Sequence, residues 1–126
     1  MMWVLDASAL LAYLKAEPGQ EVVKAAMSDA AISSVNWAEV VQKAILVNVN
    51  VEAMRLRFME VGLTIESFTL EDAENAGRLW TQTREYGLSL GDRACLSLGL
   101  RLNATVLTSD RAWKSIQSIL DIQIIR

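Results

Sequence analysis

The 126-residue sequence contains no histidine, and this absence removes more chemistry than any other feature of its composition. Without an imidazole the chain cannot build a Ser-His-Asp or Cys-His nucleophilic site, and histidine metal ligands are excluded as well. Any catalysis by side chains must therefore depend on carboxylates.

Cysteine and long apolar runs are also scarce. The single Cys95 cannot form an internal disulfide, so a reduced compartment, the cytoplasm, is expected. No apolar run approaches the roughly 18 residues that a membrane-spanning helix needs, although 52% of the residues are hydrophobic. The apolar start of the chain resembles a signal-peptide core, but it lacks a basic segment and carries Asp6. The composition therefore predicts a single domain over residues 1–126, with no membrane anchor.

Short apolar segments alternate with helix-like segments along the chain. The expected strands are residues 2–5, 31–34, 63–68, 105–107 and 122–125. The expected helices are residues 7–14, 20–27, 36–47, 51–61, about 70–85 and about 89–102, with a short one from Arg111. Strands that alternate with helices need crossover connections. The pattern therefore predicts an α/β fold with a mostly parallel sheet covered by helices on both faces.

Four acidic residues fall at one edge of this expected sheet. Asp6 directly follows the first strand, and Asp110 follows the fourth. Glu39 falls in the first turn of the helix after the second strand, and Asp92 at the start of the helix that leads into the fourth. Ligands of parallel sheets bind beyond the carboxyl ends of the strands, so the four carboxylates are expected to meet there. The net charge is −3, and without these four it would be +1, so the acidity is local.

Each of these acids also has a purely structural explanation. An acidic residue at a helix start caps free backbone N–H groups, and Asn36-x-x-Glu39 and Ser89-x-x-Asp92 resemble capping boxes. However, four carboxylates in one partly buried cleft would repel each other unless a cation were bound. Mg²⁺ and Mn²⁺ prefer oxygen ligands, and such an ion can polarise a phosphodiester and activate water. The residues therefore predict a divalent-metal site, with capping as the alternative for each acid.

The segments around the four acids resemble the ordered motifs of PIN domains, most closely those of VapC-type toxins from type II toxin-antitoxin systems. These segments are VLDASA at 4–9, WAEV at 37–40, LGDRAC at 90–95 and LTSDR at 107–111. The resemblance covers essentially the whole chain and implies a three-layer α/β/α sandwich around a five-stranded parallel sheet. It also implies Mg²⁺- or Mn²⁺-dependent endoribonuclease activity on RNA, homodimerisation and inhibition by a small cognate antitoxin.

The same resemblance assigns roles to the four acids. Asp6 and Asp92 would be the principal metal ligands. Asp110 would be a further ligand, direct or through water, and Glu39 a ligand or the base that orients water.

The resemblance also assigns polar neighbours of the acids. Ser8 and Thr108 would hold the acids by hydrogen bonds at the substrate site. Arg93 stands where the family often has a small residue, and it could bind phosphate together with Arg111 and Lys114. Solvated helix charge is the alternative explanation for these basic residues.

Other function classes remain open at this point. A phosphatase of the haloacid dehalogenase type also has an Asp after its first strand, but it needs a second Asp where this chain has Ser8. A catalytically silent binding module and a DNA-directed nuclease would both keep the acidic cleft. The tryptophans are expected in the core, with Trp113 the best candidate for base stacking. A partner surface could form around Met54, Leu56, Phe58 and Met59.

Overall fold

The computed structural model describes residues 3–126, so Met2 of the expected first strand lies outside the described residues. Five strands form one sheet in the order β3-β2-β1-β4-β5, and every neighbouring pair is parallel. The strands are β1 (Trp3–Leu5), β2 (Ala30–Ser33), β3 (Thr64–Glu66), β4 (Thr105–Thr108) and β5 (Ile122–Ile124). The predicted parallel sheet is confirmed.

Six α-helices connect the strands, and each corresponds to a predicted helix. They are α1 (Ala7–Leu14), α2 (Gln20–Ala26), α3 (Ser34–Leu46), α4 (Val51–Glu60), α5 (Leu70–Thr83) and α6 (Leu90–Leu102). Three short 3-10 helices follow α2, α5 and β4, at Met27–Asp29, Arg84–Tyr86 and Arg111–Ile116. Within residues 3–126, no helix has the length and apolar character needed to cross a membrane.

The starts of α5 and α6 are fixed by contacts between residues three positions apart. Thr69 and Asp72 form a reciprocal capping box at the start of α5, and Ser89 and Asp92 form another at the start of α6. Helix α6 ends at Asn103, which adopts the left-handed conformation at φ 51° and ψ 47°. The capping box therefore sets the start of α6 and with it the position of Asp92.

The core lies in two layers, one on each face of the sheet. Successive strand residues point to opposite faces, so Leu5 packs with α1 to α4, whereas Val4 packs with α6. Both layers are closed to solvent, and the buried side chains of β2 and β4 divide in the same way. The predicted three-layer α/β/α sandwich is confirmed.

The strand order reverses between β1 and β4, and this reversal positions the site. The chain runs from β1 to β2 and β3 on one side, and then crosses to β4 and β5 on the other. Leu5 pairs with Leu107, so β1 and β4 end side by side. A crevice at the carboxyl ends of such strands is where ligands bind in open parallel sheets. Asp6 and Asp110 follow these two strands.

Candidate active site

A cavity of about 230 Å³ opens at the carboxyl ends of β1 and β4. All four acids predicted from the sequence line it: Asp6, Glu39, Asp92 and Asp110. The remaining lining comprises Ala7, Ser8, Leu11, Asn36 and Lys43. Residues that lie far apart in the sequence are therefore brought to one place, although their chemical roles remain predictions.

Asp6 is buried at the base of the cavity and both of its carboxylate oxygens are held. Oδ1 accepts hydrogen bonds from the Ser8 hydroxyl at 2.7 Å and from the Ala9 backbone N–H at 2.8 Å. Oδ2 accepts a hydrogen bond from the Thr108 hydroxyl at 2.6 Å. Asp6 therefore caps α1, as the structural explanation predicted, and it also lines the cavity.

The environment of Asp6 disfavours its charged form. Burial raises its pKa from 3.8 to about 6, against the hydrogen bonds from Thr108, Ser8 and Ala9, which lower it. The negative charge of Asp92 raises the pKa further. A cation in the cavity would offset both unfavourable effects.

Ser8 and Thr108 also connect the loops that follow β1 and β4. The Ser8 hydroxyl accepts a hydrogen bond from the Ser109 N–H at 3.0 Å, and the Thr108 hydroxyl accepts one from the Asp110 N–H at 3.0 Å. Both hydroxyls contact Asp6 as well. The two loops are thus joined around the buried carboxylate, while direct contact of either residue with a substrate stays a prediction.

The placement of Glu39 in the first turn of its helix was wrong. Ser33 caps α3, since its hydroxyl accepts a hydrogen bond from the Val35 N–H at 3.2 Å, and Glu39 consequently lies in the second turn. Asn36, expected as the cap, is buried inside the helix. Its Nδ2 donates to Glu39 Oε1 at 2.8 Å and to the Gly91 carbonyl oxygen at 3.0 Å. The contacts that Asn36 makes were therefore not predicted from the sequence.

Asp92 and Asp110 each cap a helix and also line the cavity. Asp92 Oδ2 accepts a hydrogen bond from the Ser89 N–H at 2.9 Å. Asp110 Oδ1 accepts one from the Ala112 N–H at 3.0 Å, at the start of the last 3-10 helix. The capping explanation is therefore correct for both residues, and it does not separate them from the cavity.

The combined field of the acids is evident at Cys95, a buried free thiol in α6. Burial raises the pKa of this thiol, and the charges of Asp6, Asp92 and Glu39 raise it further. Three of the four carboxylates thus act on one buried point.

The donor chemistry of the cavity fits a hard divalent cation. Its four charged acidic side chains offer oxygen ligands, the type that Mg²⁺ and Mn²⁺ prefer. Burial of Asp6 next to Asp92 creates an electrostatic penalty that a cation would relieve. Within residues 3–126, however, no three acidic or cysteine side chains are placed closely enough to form a complete ligand cluster as they stand.

Two of the three basic residues predicted to bind phosphate donate to backbone carbonyl groups. The Arg93 guanidinium donates to the Ala76 carbonyl oxygen at 2.8 Å, against α5, and Arg111 Nε donates to the Arg126 carbonyl oxygen at 3.2 Å. Lys43, for which no role was predicted, lines the cavity. A contact between Arg93 and phosphate remains an untested prediction.

Two aromatic predictions can also be compared with the structure. Trp113, the candidate for base stacking, is 1% exposed and belongs to the core. Trp80 is half exposed and lies under Arg84, whose guanidinium carbon is 5.0 Å from the ring centre. The general expectation that tryptophans pack in the core therefore holds for Trp113.

One known protein family matches most of the chain. The family model described as the PIN domain matches residues 3–118. No curated protein matches the chain closely enough to count as a relative.

Solved structures with the same fold include three complexes. A toxin-antitoxin complex from Klebsiella pneumoniae is 19% identical, with a TM-score of 0.78 over 98% of this chain and 97% of that one. DNA-bound VapBC from Salmonella typhimurium is 16% identical, with a TM-score of 0.76 over 100% of this chain and 99% of that one. VapBC-1 from nontypeable Haemophilus influenzae is 17% identical, with a TM-score of 0.71 over 98% of each chain. At these identities the likeness shows the fold alone.

Proposed function

Because this chain belongs to the PIN domain family, we propose that it is a metal-dependent endoribonuclease and the toxin of a toxin-antitoxin pair. The observation that carries the proposal is the convergence of four carboxylates on one cavity. The absence of histidine supports it, since carboxylates with a divalent ion can hydrolyse a phosphodiester without an imidazole.

The four acids would hold Mg²⁺ or Mn²⁺, with Asp6 and Asp92 as the principal ligands. When bound, such an ion polarises the phosphodiester and lowers the pKa of an attacking water. Asp6 is kept in place by the hydroxyls of Ser8 and Thr108. Glu39, held by Asn36, would ligate the ion or orient the attacking water and accept its proton.

Lys43 would contribute the positive charge that an RNA backbone needs. It lines the same cavity as the four acids, whereas Arg93 and Arg111 bond to backbone carbonyl groups. An ammonium group at this position can contact a phosphate oxygen. Lys43 would bind the RNA backbone, while the acids and the metal ion would carry out the hydrolysis.

An RNA cleavage assay tests the proposed function. Purified chain without antitoxin should cleave structured RNA in Mg²⁺ or Mn²⁺, and EDTA should abolish the cleavage. Asp6→Asn should lower the rate at least about 100-fold, since it removes a metal ligand. Asp29→Asn is the matched control, because Asp29 is exposed and precedes β2, at the opposite edge of the sheet.

The outcomes of this assay separate the rival functions. Cleavage that persists in EDTA, or that Asp6→Asn leaves unchanged, would contradict the mechanism. Cleavage of single-stranded DNA but not RNA would favour the DNA-directed nuclease. Absence of both hydrolysis and Mn²⁺ binding would favour a silent binding module.

We also propose two protein partners, a small antitoxin and a second copy of the chain. The antitoxin is supported by the complexes that share this fold, among them the one from Klebsiella pneumoniae. The homodimer is supported by Ile45, Leu46 and Val47, which expose 61%, 71% and 59% of their surface at the end of α3. Light scattering that gives a mass near the 13.9 kDa of one chain would contradict the homodimer.

A further inference from the structure

Asn36 lies inside α3 and joins two parts of the cavity that the four acids line, called here the acid cavity. It is 2% exposed, and its Nδ2 donates to Glu39 Oε1 at 2.8 Å and to the Gly91 carbonyl oxygen at 3.0 Å. Gly91 directly precedes Asp92 in the first turn of α6. One amide group therefore bonds to one of the acids and to the backbone next to another.

The orientation of the Asn36 amide follows from these two bonds. Both partners are acceptors, so a flipped amide would place Oδ1 against two oxygens and lose both bonds. When Nδ2 donates these two bonds, Oδ1 is buried without a hydrogen-bond partner among residues 3–126. A buried acceptor without a partner is unfavourable, and an apolar side chain of similar size would avoid that cost. The amide is therefore poorly explained as packing alone.

Gly91 completes the contact from the other side. A Cβ atom at this position would lie 3.0 Å from Glu39 Oε1 and 3.2 Å from Oε2. Gly91 is an ordinary helical residue without a positive φ, so its backbone conformation does not require glycine. The space favours glycine, because Glu39 rests against the bare backbone, and a Cβ would force its carboxylate to shift by a few tenths of an ångström from the position in which it bonds to Asn36.

We propose that Asn36 is a positioning residue that, together with the bare backbone at Gly91, fixes the Glu39 carboxylate relative to Asp92. The inference deepens the proposed function and rests on it, because the carboxylate is positioned for a divalent ion. Residues that orient a metal ligand typically contribute 10–100-fold to metal affinity. Asn36 would act through Glu39 and would touch neither metal nor RNA.

The first test uses metal-free protein and nuclear magnetic resonance. In EDTA, the Asn36 side-chain amide should exchange with solvent much more slowly than that of Asn48, which is exposed. Glu39→Ala should shift the Asn36 amide signals and speed their exchange. Exchange as fast as that of Asn48 in the wild-type chain would overturn the inference.

The second test measures Mn²⁺ affinity by calorimetry. Asn36→Ala and Gly91→Ala should each weaken Mn²⁺ binding about tenfold. Gly91→Ala should not lower the melting temperature, because alanine favours a helix over glycine. Gly77→Ala is the matched control, since a Cβ there meets no atom within 4 Å, and it should leave the affinity within about twofold of wild type.

A double-mutant cycle shows whether Asn36 acts through Glu39. In a Glu39→Ala background, Asn36→Ala should change Mn²⁺ affinity less than about twofold. An equal loss with and without Glu39 would overturn the inference. If the wild-type chain binds no Mn²⁺, the proposed function fails, and the amide exchange in metal-free protein decides the positioning role by itself.

Discussion

The Asp6 carboxylate is buried beneath the cavity, and within residues 3–126 no basic group forms an ion pair with it. Hydrogen bonds from two hydroxyls and one backbone N–H replace only part of the water that the charged form would have. Burial therefore raises its pKa to about 6, and the charge of Asp92 adds to the rise. In the metal-free protein the charged Asp6 carboxylate, which the proposed metal site needs, therefore lowers the stability of the fold.

The pH dependence of stability follows from this raised pKa. In the unfolded chain Asp6 titrates near 3.8, so between about pH 4 and pH 6 the folded state binds more protons than the unfolded state. The stabilising effect of the neutral carboxyl group is complete below about pH 4 and is lost as the pH rises through about 6. In EDTA at about pH 7.5, Asp6→Asn should raise the free energy of unfolding by up to about 3 kcal/mol. Urea unfolding across this range measures the effect.

The asparagine retains the shape of the side chain and can still accept a hydrogen bond from the Ala9 N–H. The advantage of Asp6→Asn should therefore vanish below about pH 4, where the wild-type carboxyl group is also neutral. Asp29→Asn, at an exposed position, is the control for the general effect of removing one negative charge. A variant Asp6→Asn that is less stable than wild type at every pH would show that charged capping outweighs burial.

At the scale of elements, two helix glycines differ in what surrounds them. Gly77 lies on the exposed side of α5, and a Cβ there would meet nothing within 4 Å. Gly99 lies in α6 against the sheet, where a Cβ would come within 2.6 Å of Val106 Cγ2 in β4. The first glycine only weakens its helix, whereas the second allows α6 to approach the strand.

Alanine at these two positions should therefore have opposite effects. Gly77→Ala should raise the free energy of unfolding by about 0.5–1 kcal/mol, because alanine has the higher helix propensity. Gly99→Ala should lower it by about 1–3 kcal/mol, since β-branched Val106 has little freedom to move. Chemical denaturation measures both. Adding Val106→Ala to Gly99→Ala should relieve part of the crowding, and a stabilising effect of Gly99→Ala alone would show that α6 does not pack this closely.

Most of the fold could be predicted from the sequence because its determinants are local. Thr69 and Ser89 form capping boxes within four residues, and Asn103 takes the left-handed position that ends α6. The start of α3 was misplaced because Ser33 and Asn36 are both residue types that cap helices. Local chemistry could not choose between them.

The acids of the candidate site could be predicted, but the contacts that hold them could not. Asp6 and Asp110 follow from the rule that ligands bind at the carboxyl ends of parallel strands. The bond between Asn36 and Gly91 joins residues 55 positions apart, and no spacing in one sequence signals it. Arg93 likewise turns to Ala76, a partner 17 residues away, rather than to the cavity. Side-chain direction at the site depends on packing between helices.

At the scale of the whole molecule, the acid cavity is separate from a second concave surface. A groove of about 610 Å³ lies between α1, α2 and α4, and none of the four acids lines it. Met54 and Phe58, which we expected near a partner surface, line this groove, whereas Leu56 and Met59 are about half exposed. The candidate active site and this groove are therefore different parts of the surface.

The charges of this groove indicate which kind of partner it would accept. Its lining contains the basic residues Lys24 and Arg57 and no acidic residue, although the chain as a whole carries a net charge of −3. Apolar walls with two positive charges fit a segment that carries both apolar and acidic side chains. An antitoxin of the kind proposed for this chain would bind here through such a segment.

Charge reversal at Arg57 tests this expectation in the complex with a candidate antitoxin. Arg57→Glu should weaken that complex at least about tenfold, since an acidic side chain would face acidic groups of the partner. Arg55→Glu is the matched control, because Arg55 lies on the same helix but does not line the groove. Co-purification and binding isotherms measure the difference. Equal binding by the two variants would place the antitoxin on another surface. The expected result in cells is that Arg57→Glu still inhibits growth but is no longer relieved by the antitoxin. That result would show that the groove controls neutralisation independently of the acid cavity.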